Sequence, residues 1–267
     1  MANDQERRRW LCVFLPTLVA LCLAPGASAQ VHRDSGPERL RAGVLEVRPH
    51  DPEAFTQGLE LAGGRLYEST GQYGRSELRV VDPATGEPRR SVPLPDELFG
   101  EGLTVVGDAI WQLTWREGIA LHRDRATLAE TDRASYQGEG WGICADGSRL
   151  IMSDGSDRLT FRNAGTFAVT GHVKVRNGGS PVSGLNELEC VNGTVFANVL
   201  NEDHLLRIDP ATGAVTAIVD ASELGQDPSN TGVLNGIAAL GHRGQFLLTG
   251  KNWSHTYRVR FVPASHL

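Results

Sequence analysis

Glu101 stands between Gly100 and Gly102, at a place where a carboxylate has no evident structural use. It belongs to a series of short related phrases, each of which sets a polar or aromatic residue beside a small or apolar one. The series runs Phe55-Thr56-Gln57-Gly58-Leu59, Phe99-Gly100-Glu101-Gly102-Leu103, Gly140-Trp141-Gly142-Ile143, Asn186-Glu187-Leu188-Glu189 and Leu234-Asn235-Gly236-Ile237. If the phrases converge, Gln57, Glu101, Trp141, Asn186 and Asn235 meet, joined by Phe55, Phe99, Trp115, Lys251 and Trp253. That set holds one carboxylate, carboxamides, one lysine and a ring of aromatics. A carboxylate buried among Phe and Trp side chains has a raised pKa, which suits proton transfer near neutrality. The carboxamides and the lysine can orient a polar group and stabilise a developing oxyanion.

Each of these residues also has a plain structural use. Phe55 and Phe99 can be packing residues, Trp141 a spacer between units, and Asn186 a partner for backbone groups at a strand start. Lys251 can extend to solvent along its aliphatic stem. Glu187 and Glu189 alternate around Leu188, so at most one of them faces a site. The phrases bring one clear Glu and no His together, which argues against a metal-dependent propeller hydrolase and predicts no bound metal.

The elements that must position these residues are legible from the spacing. From Gln57 the steps to Glu101, Trp141, Glu187 and Asn235 are 44, 40, 46 and 48 residues. A Gly-bearing turn follows most phrases (Gly63-Gly64, Gly107-Asp108, Asp146-Gly147, Asn192-Gly193, His242-Arg243-Gly244), and then a second apolar run begins. A strand-turn-strand unit of roughly 40–50 residues is the signature of a propeller blade. Five units predict an all-β, five-bladed β-propeller. Asp82-Pro83-Ala84-Thr85-Gly86 recurs as Asp209-Pro210-Ala211-Thr212-Gly213 and reads as an outer hairpin turn with no chemistry of its own. The last unit shows only three strands, and the strand-like segment Val44–Arg48 is expected to supply the fourth and close the ring.

Composition narrows the class further. Residues 1–29 carry Arg7-Arg8-Arg9, an apolar stretch and Ala27-Ser28-Ala29, the pattern of a cleaved export signal. Its removal leaves 238 of the 267 residues and, with three Arg lost against Asp4 and Glu6, a net charge of −7 in place of −6. Such an acidic chain without a Lys/Arg stripe is not a nucleic-acid binder, and without its signal it keeps no stable membrane anchor. Residues 30–42 are expected to be a flexible leader, and residues 43–267 a single catalytic domain. The expected location is secreted or periplasmic. Cys144 and Cys190 lie one residue apart in the repeat frame, which on strands sends their side chains to opposite faces and predicts two buried thiols rather than a bridge.

With the motifs assembled, the chain resembles the plant-type glutaminyl-peptide cyclotransferases, a family that includes bacterial members. The resemblance runs from about Val44 to Val262 on His50-Asp51-Pro52, the first two phrases, Gln112-Leu113-Thr114-Trp115, Gly140-Trp141-Gly142, Leu185-Asn186-Glu187, Ala197-Asn198-Val199, Leu234-Asn235-Gly236 and Thr249-Gly250-Lys251-Asn252-Trp253. It implies a five-bladed propeller that converts the N-terminal glutamine of peptides and proteins to pyroglutamate with loss of ammonia, using no metal or other cofactor. Glu101 matches the family's proton-shuttling glutamate. Phe55, Gln57, Phe99, Trp115, Trp141, Asn186 and Lys251 fall on positions of its substrate site; Gln57, Asn186 and Lys251 are expected to share the catalysis with Glu101, and Trp253 to join the aromatic substrate walls. One departure is Leu200, where the family continues Ala-Asn-Val with Trp. The expected partners are Gln-initiated peptides and proteins, met by a monomer. The alternative reading is a non-catalytic propeller that binds peptide N-termini.

Overall fold

A computed structural model describes residues 36–241 and 244–264. The expected export signal, residues 30–35 of the expected leader and the expected turn at His242-Arg243 lie outside the described residues. The chain begins with β1 (Glu38–Pro49) and then makes three successive antiparallel four-stranded sheets. The first is β2 (Thr56–Ala62), β3 (Arg65–Thr70), β4 (Glu77–Val81) and β5 (Pro88–Pro93). The second is β6 (Gly100–Val106), β7 (Ala109–Thr114), β8 (Ile119–Asp124) and β9 (Glu130–Ser135). The third is β10 (Ile143–Asp146), β11 (Arg149–Ser153), β12 (Arg158–Asn163) and β13 (Val169–Lys174). A small hairpin, β14 (Arg176–Asn177) and β15 (Ser180–Pro181), leads to β16 (Leu185–Val191), β17 (Thr194–Val199), β18 (His204–Ile208) and β19 (Val215–Asp220). One helical turn, α1 (Ser222–Gly225), precedes β20 (Leu234–Ala239), β21 (Gln245–Gly250) and β22 (His255–Pro263).

The last two groups form one eight-stranded sheet because β1 joins them. Leu40–Pro49 pairs antiparallel with β22, and Glu38–Arg41 pairs parallel with β19. The Val44–Arg48 strand therefore completes the last group as expected. The leader expectation fails for Glu38–Ala42, which belong to β1: Leu40 and Ala42 are buried in the core shared by β18 to β22. Apolar residues in alternation with Arg39 and Arg41 suit a strand with one covered face.

The first strands β2, β6, β16 and β20 are buried along most of their length and β10 at two of its four residues, whereas β5, β9 and β13 are largely exposed. The first strands also touch in a closed circuit: β2 meets β6, β6 meets β10, β10 meets β16, β16 meets β20, and β20 returns to β2. The Asp-Pro turns behave as read: Asp82 accepts from Ala84 N–H at 2.8 Å and Asp209 from Ala211 N–H at 2.9 Å.

The expectation of free thiols is overturned. Cys144 and Cys190 form a disulfide, with Cα atoms 5.4 Å apart. They lie on β10 and β16, first strands of neighbouring groups whose sheets pack face against back. In such stacking, opposite faces meet, so the one-residue offset brings the sulfurs together instead of separating them. The bridge closes a 46-residue separation. Replacing both cysteines by Ser is expected to cost about 2–4 kcal/mol in urea unfolding. A midpoint equal to that of the untreated parent, in the variant and in the reduced parent alike, would contradict the bridge.

Candidate active site

The chemistry-bearing residues sit where the inner ladders lose register. Pairing of β2 with β3 shifts between Thr56 and Gly58, β6 with β7 between Gly100 and Leu103, β16 with β17 between Leu185 and Leu188, and β20 with β21 between Leu234 and Ile237. The unpaired residues are Gln57, Glu101-Gly102, Asn186-Glu187 and Asn235-Gly236. Just before β10, Trp141 N–H bonds Ser153 O while Ser153 N–H bonds Gly142 O, so two residues face one there as well. Bulges of this kind re-aim side chains and recur beside functional sites. Asn186, rather than Glu187, takes the site position in the fourth phrase.

Phe55, Gln57, Phe99, Glu101, Trp115, Trp141, Asn186, Leu200 and Lys251 line one cavity of about 190 Å³. Glu101 is 4 % exposed. Gln57 Nε2 donates to Glu101 Oε1 at 2.9 Å, and Gln57 Oε1 accepts from Asn235 Nδ2 at 3.2 Å. Asn235 Nδ2 also donates to Thr56 O at 2.9 Å, so it sets which way the Gln57 amide faces. Burial pushes the Glu101 carboxyl well above the usual carboxylate range; Lys251 opposes that rise, while Glu139 and Glu117 add to it. Burial lowers the Lys251 pKa, and its Nζ lies 4.9 Å from the centre of the Phe55 ring. Among the described residues the Asn186 carboxamide has no protein partner; the residue's backbone oxygen accepts from Ser153 Oγ at 2.6 Å.

The aromatic walls form a chain. The Phe55 and Phe99 rings meet edge to face at 6.2 Å, and the Phe99 and Trp115 rings lie 5.4 Å apart. Sequence reasoning missed what holds the indoles. Glu139 Oε2 accepts from Trp115 Nε1 at 2.8 Å and from Trp141 Nε1 at 2.9 Å, and Glu139 Oε1 accepts from Arg116 Nε at 3.0 Å. Gly138-Glu139-Gly140 reads as an ordinary turn, and only the trailing Gly140-Trp141 hinted at its place. Trp253 is not a wall. It is 1 % exposed in the core beside β20 to β22, and its Nε1 donates to Gly232 O at 2.9 Å. Its ring packs on Gly250, where an added Cβ would lie 2.4 Å from it.

Glu187 and Glu189 point away from this cavity. Glu187 Oε1 accepts from Leu59 N–H at 3.3 Å and Oε2 from Ile237 N–H at 2.9 Å, tying three groups together. Burial pushes Glu187 and Glu189 well above the carboxylate range and Glu60 up to about 7, with mutual repulsion adding to the rise at Glu187 and Glu189.

Comparisons with known proteins identify the family. A family model described as glutamine cyclotransferase matches residues 17–261. The chain belongs to the glutamine cyclotransferase family. It is 38 % identical over 229 residues to the glutaminyl-peptide cyclotransferase of Arabidopsis thaliana, a match covering 83 % of this chain and 72 % of that protein. It also matches the crystal structure of Myxococcus xanthus glutaminyl cyclase with a TM-score of 0.80 and 37 % identity, over 86 % of this chain and 100 % of that one.

For this family member two pH effects follow. Lys251 holds the Glu101 titration down, so Lys251→Met is expected to move the acidic limb of the kcat/KM profile to higher pH; an unmoved limb would sever the two residues. Glu60 and Glu189 have folded pKa values above the unfolded value near 4.3. Their contribution to stability is therefore full below that value and is lost as pH rises through about 7 for Glu60. Glu60→Gln and Glu189→Gln should flatten the fall of Tm on the alkaline side of pH 5, and parallel parent and variant curves would refute this.

Proposed function

We propose that this chain is a five-bladed β-propeller cyclotransferase that converts N-terminal glutaminyl residues of peptides and proteins to pyroglutamyl residues, releasing ammonia. The closed circuit of five inner strands supports the blade count, with β1 as the outer strand of the last blade. The observation that carries the activity is Glu101: a buried, pKa-raised carboxyl oriented by Gln57 at the base of an aromatic cavity that also holds Lys251. The family membership and the names of the two relatives point the same way.

In the reaction, the substrate's neutral α-amine attacks its own side-chain carboxamide carbon. A C–N bond forms and closes a five-membered ring, the bond to the amide nitrogen breaks, and that nitrogen leaves as ammonia. No water is consumed. Nucleophile and electrophile share one molecule, so the site has only to hold a near-attack conformer. The amide nitrogen leaves only when protonated. Glu101 takes the proton that the attacking amine sheds and returns it to the departing nitrogen. A carboxyl whose pKa burial raises is a stronger base for the first half of that transfer, and once protonated it is the acid for the second. Asn186 and Lys251 orient the carboxamide and stabilise its oxygen as charge develops, a role worth about 2.7–4 kcal/mol per donor. The Phe55, Phe99, Trp115 and Trp141 rings exclude water, which favours ring closure over hydrolysis.

The same proposal includes a monomeric enzyme and its export, the latter supported by the composition of residues 1–29. No helix among the described residues is long and apolar enough to cross a membrane. The deciding experiment measures ammonia release from a short Gln-initiated peptide by chelator-treated protein, with the same peptide blocked at its α-amine as control. Release is expected only from the free amine, and Glu101→Gln is expected to lower kcat/KM by about 10²–10⁴-fold. Near-parental turnover by folded Glu101→Gln would remove Glu101 from the mechanism. A folded parent that binds the peptide without releasing ammonia would make this a recognition propeller.

A further inference from the structure

The two indole walls of the cavity belong to different sheets. Trp115 follows β7 and Trp141 precedes β10, and the backbone joins them only through Gly140 N–H bonding Trp115 O at 2.8 Å. Their side chains meet at one atom. Glu139 Oε2 takes both indole N–H groups, at 2.8 and 2.9 Å, while Oε1 takes Arg116 Nε at 3.0 Å. The Arg116 guanidinium carbon lies 3.7 Å from the centre of the Trp115 ring, and Arg116 is not among the residues that line the cavity. Burial works against ionisation of Glu139, but the Trp141, Trp115 and Arg116 hydrogen bonds outweigh it and hold its carboxyl below the usual range. The group therefore stays charged, as the acceptor of three N–H donors. From Trp115 the contact chain runs on to Phe99 and Phe55.

We propose that Glu139 is the positioning residue of the aromatic collar: it does not touch the reacting atoms, but fixes the separation and tilt of Trp115 and Trp141 and so sets how tightly the glutaminyl side chain is held. Its importance is heightened here by Leu200, which lines the same cavity with a flexible aliphatic group and offers no third rigid indole. An indole N–H that loses a partly buried acceptor must find water or turn, and either response opens the collar. Gly155 shows how closely the wall is fitted, since a Cβ added there would lie 2.7 Å from the Trp141 ring.

This inference rests on the cyclisation reading for its kinetic arm and on the geometry alone for its spectroscopic arm. In the full chain, Glu139→Leu is expected to raise KM for a Gln-initiated peptide about tenfold while kcat falls less than about threefold. Its indole emission should shift to the red and become more accessible to acrylamide. Glu139→Gln keeps an acceptor oxygen and is expected to recover most of the KM and emission. A general structural lesion would lower kcat and Tm together without rescue by Gln, and would overturn the assignment. So would a Glu139→Leu enzyme with parental KM and parental emission. If Glu139→Leu does not fold, Glu139→Gln and Glu139→Asp decide by the same two readouts. Should the parent release no ammonia at all, the cyclisation reading fails, and peptide affinity followed by indole quenching decides the role of Glu139 in its place.

Discussion

Everything at the centre of this protein depends on how closely neighbouring inner strands approach. An added Cβ on Gly58 would lie 2.6 Å from Leu103 N, on Gly102 2.7 Å from Trp141 O, and on Gly142 2.1 Å from Asn186 O. No side chain fits at those distances, so the three glycines let backbone meet backbone, and Gly102 N–H reaches Trp141 O at 2.8 Å. The residue before each glycine is thereby lifted out of its ladder and aimed into the cavity. That is how Gln57, Glu101 and Trp141 come together although they derive from separate sheets. In the fourth group the glycine position is taken by Glu187, whose carboxyl spans the gap to Leu59 and Ile237. The geometry of the cavity and the close approach of the inner strands thus share one cause.

Burying a carboxyl beside aromatics is costly, and at Glu101 the surroundings offset only part of that cost. A direct ion pair would hold Glu101 ionised and make it a poor acid. Instead it receives one amide hydrogen bond from Gln57 and a moderating positive charge from Lys251. The contrast with Glu68 is instructive. Glu68 is equally buried, but it accepts from Thr56, bonds His50 Nε2 at 2.9 Å and Arg79 at 2.7 Å, and its carboxyl is held well below the usual range despite burial. His50 Nδ1 bonds Trp253 O at 2.7 Å, and Arg79 also pairs with Asp51 at 2.7 Å. This fully satisfied network clamps the loop that delivers Phe55 and Gln57, whereas the under-satisfied Glu101 keeps a proton within reach.

What was legible in the sequence was what repeats. The five phrases, their turns and the missing outer strand each leave a periodic trace, so the all-β class, the closing strand β1 and eight of the nine nominated site residues could be placed. Non-periodic features were harder to see. The outer turn shows its Gly in only two groups, because Leu128 (φ 64°) and Phe167 (φ 61°) take the same left-handed position in two others. Trp253 follows Lys251 by two residues and shares its loop, but packing on Gly250 turns its ring into the core. The cysteine offset was read within a single sheet frame, although the contact is made between sheets. Glu139 stands two residues before Trp141, level with Phe55 and Phe99 in the other phrases, but a carboxylate in place of a ring gave no match of residue type; its role exists only once Trp115 and Trp141 are adjacent in space.

The walls of the cavity and its buried acid are physically separable here. Leu200 lies on the cavity but outside the hydrogen-bond chain from Glu101 through Gln57 to Asn235. An apolar substitution there changes how much surface a substrate side chain can cover, about 25 cal/mol per Å² of apolar area, and leaves the proton path as it was. A polar residue at Leu200 would act differently, because it would bring water or a competing dipole against a carboxyl whose pKa is set by burial. The collar can therefore exchange one rigid ring for an aliphatic group, provided the remaining rings are held in place and the space around Glu101 stays dry.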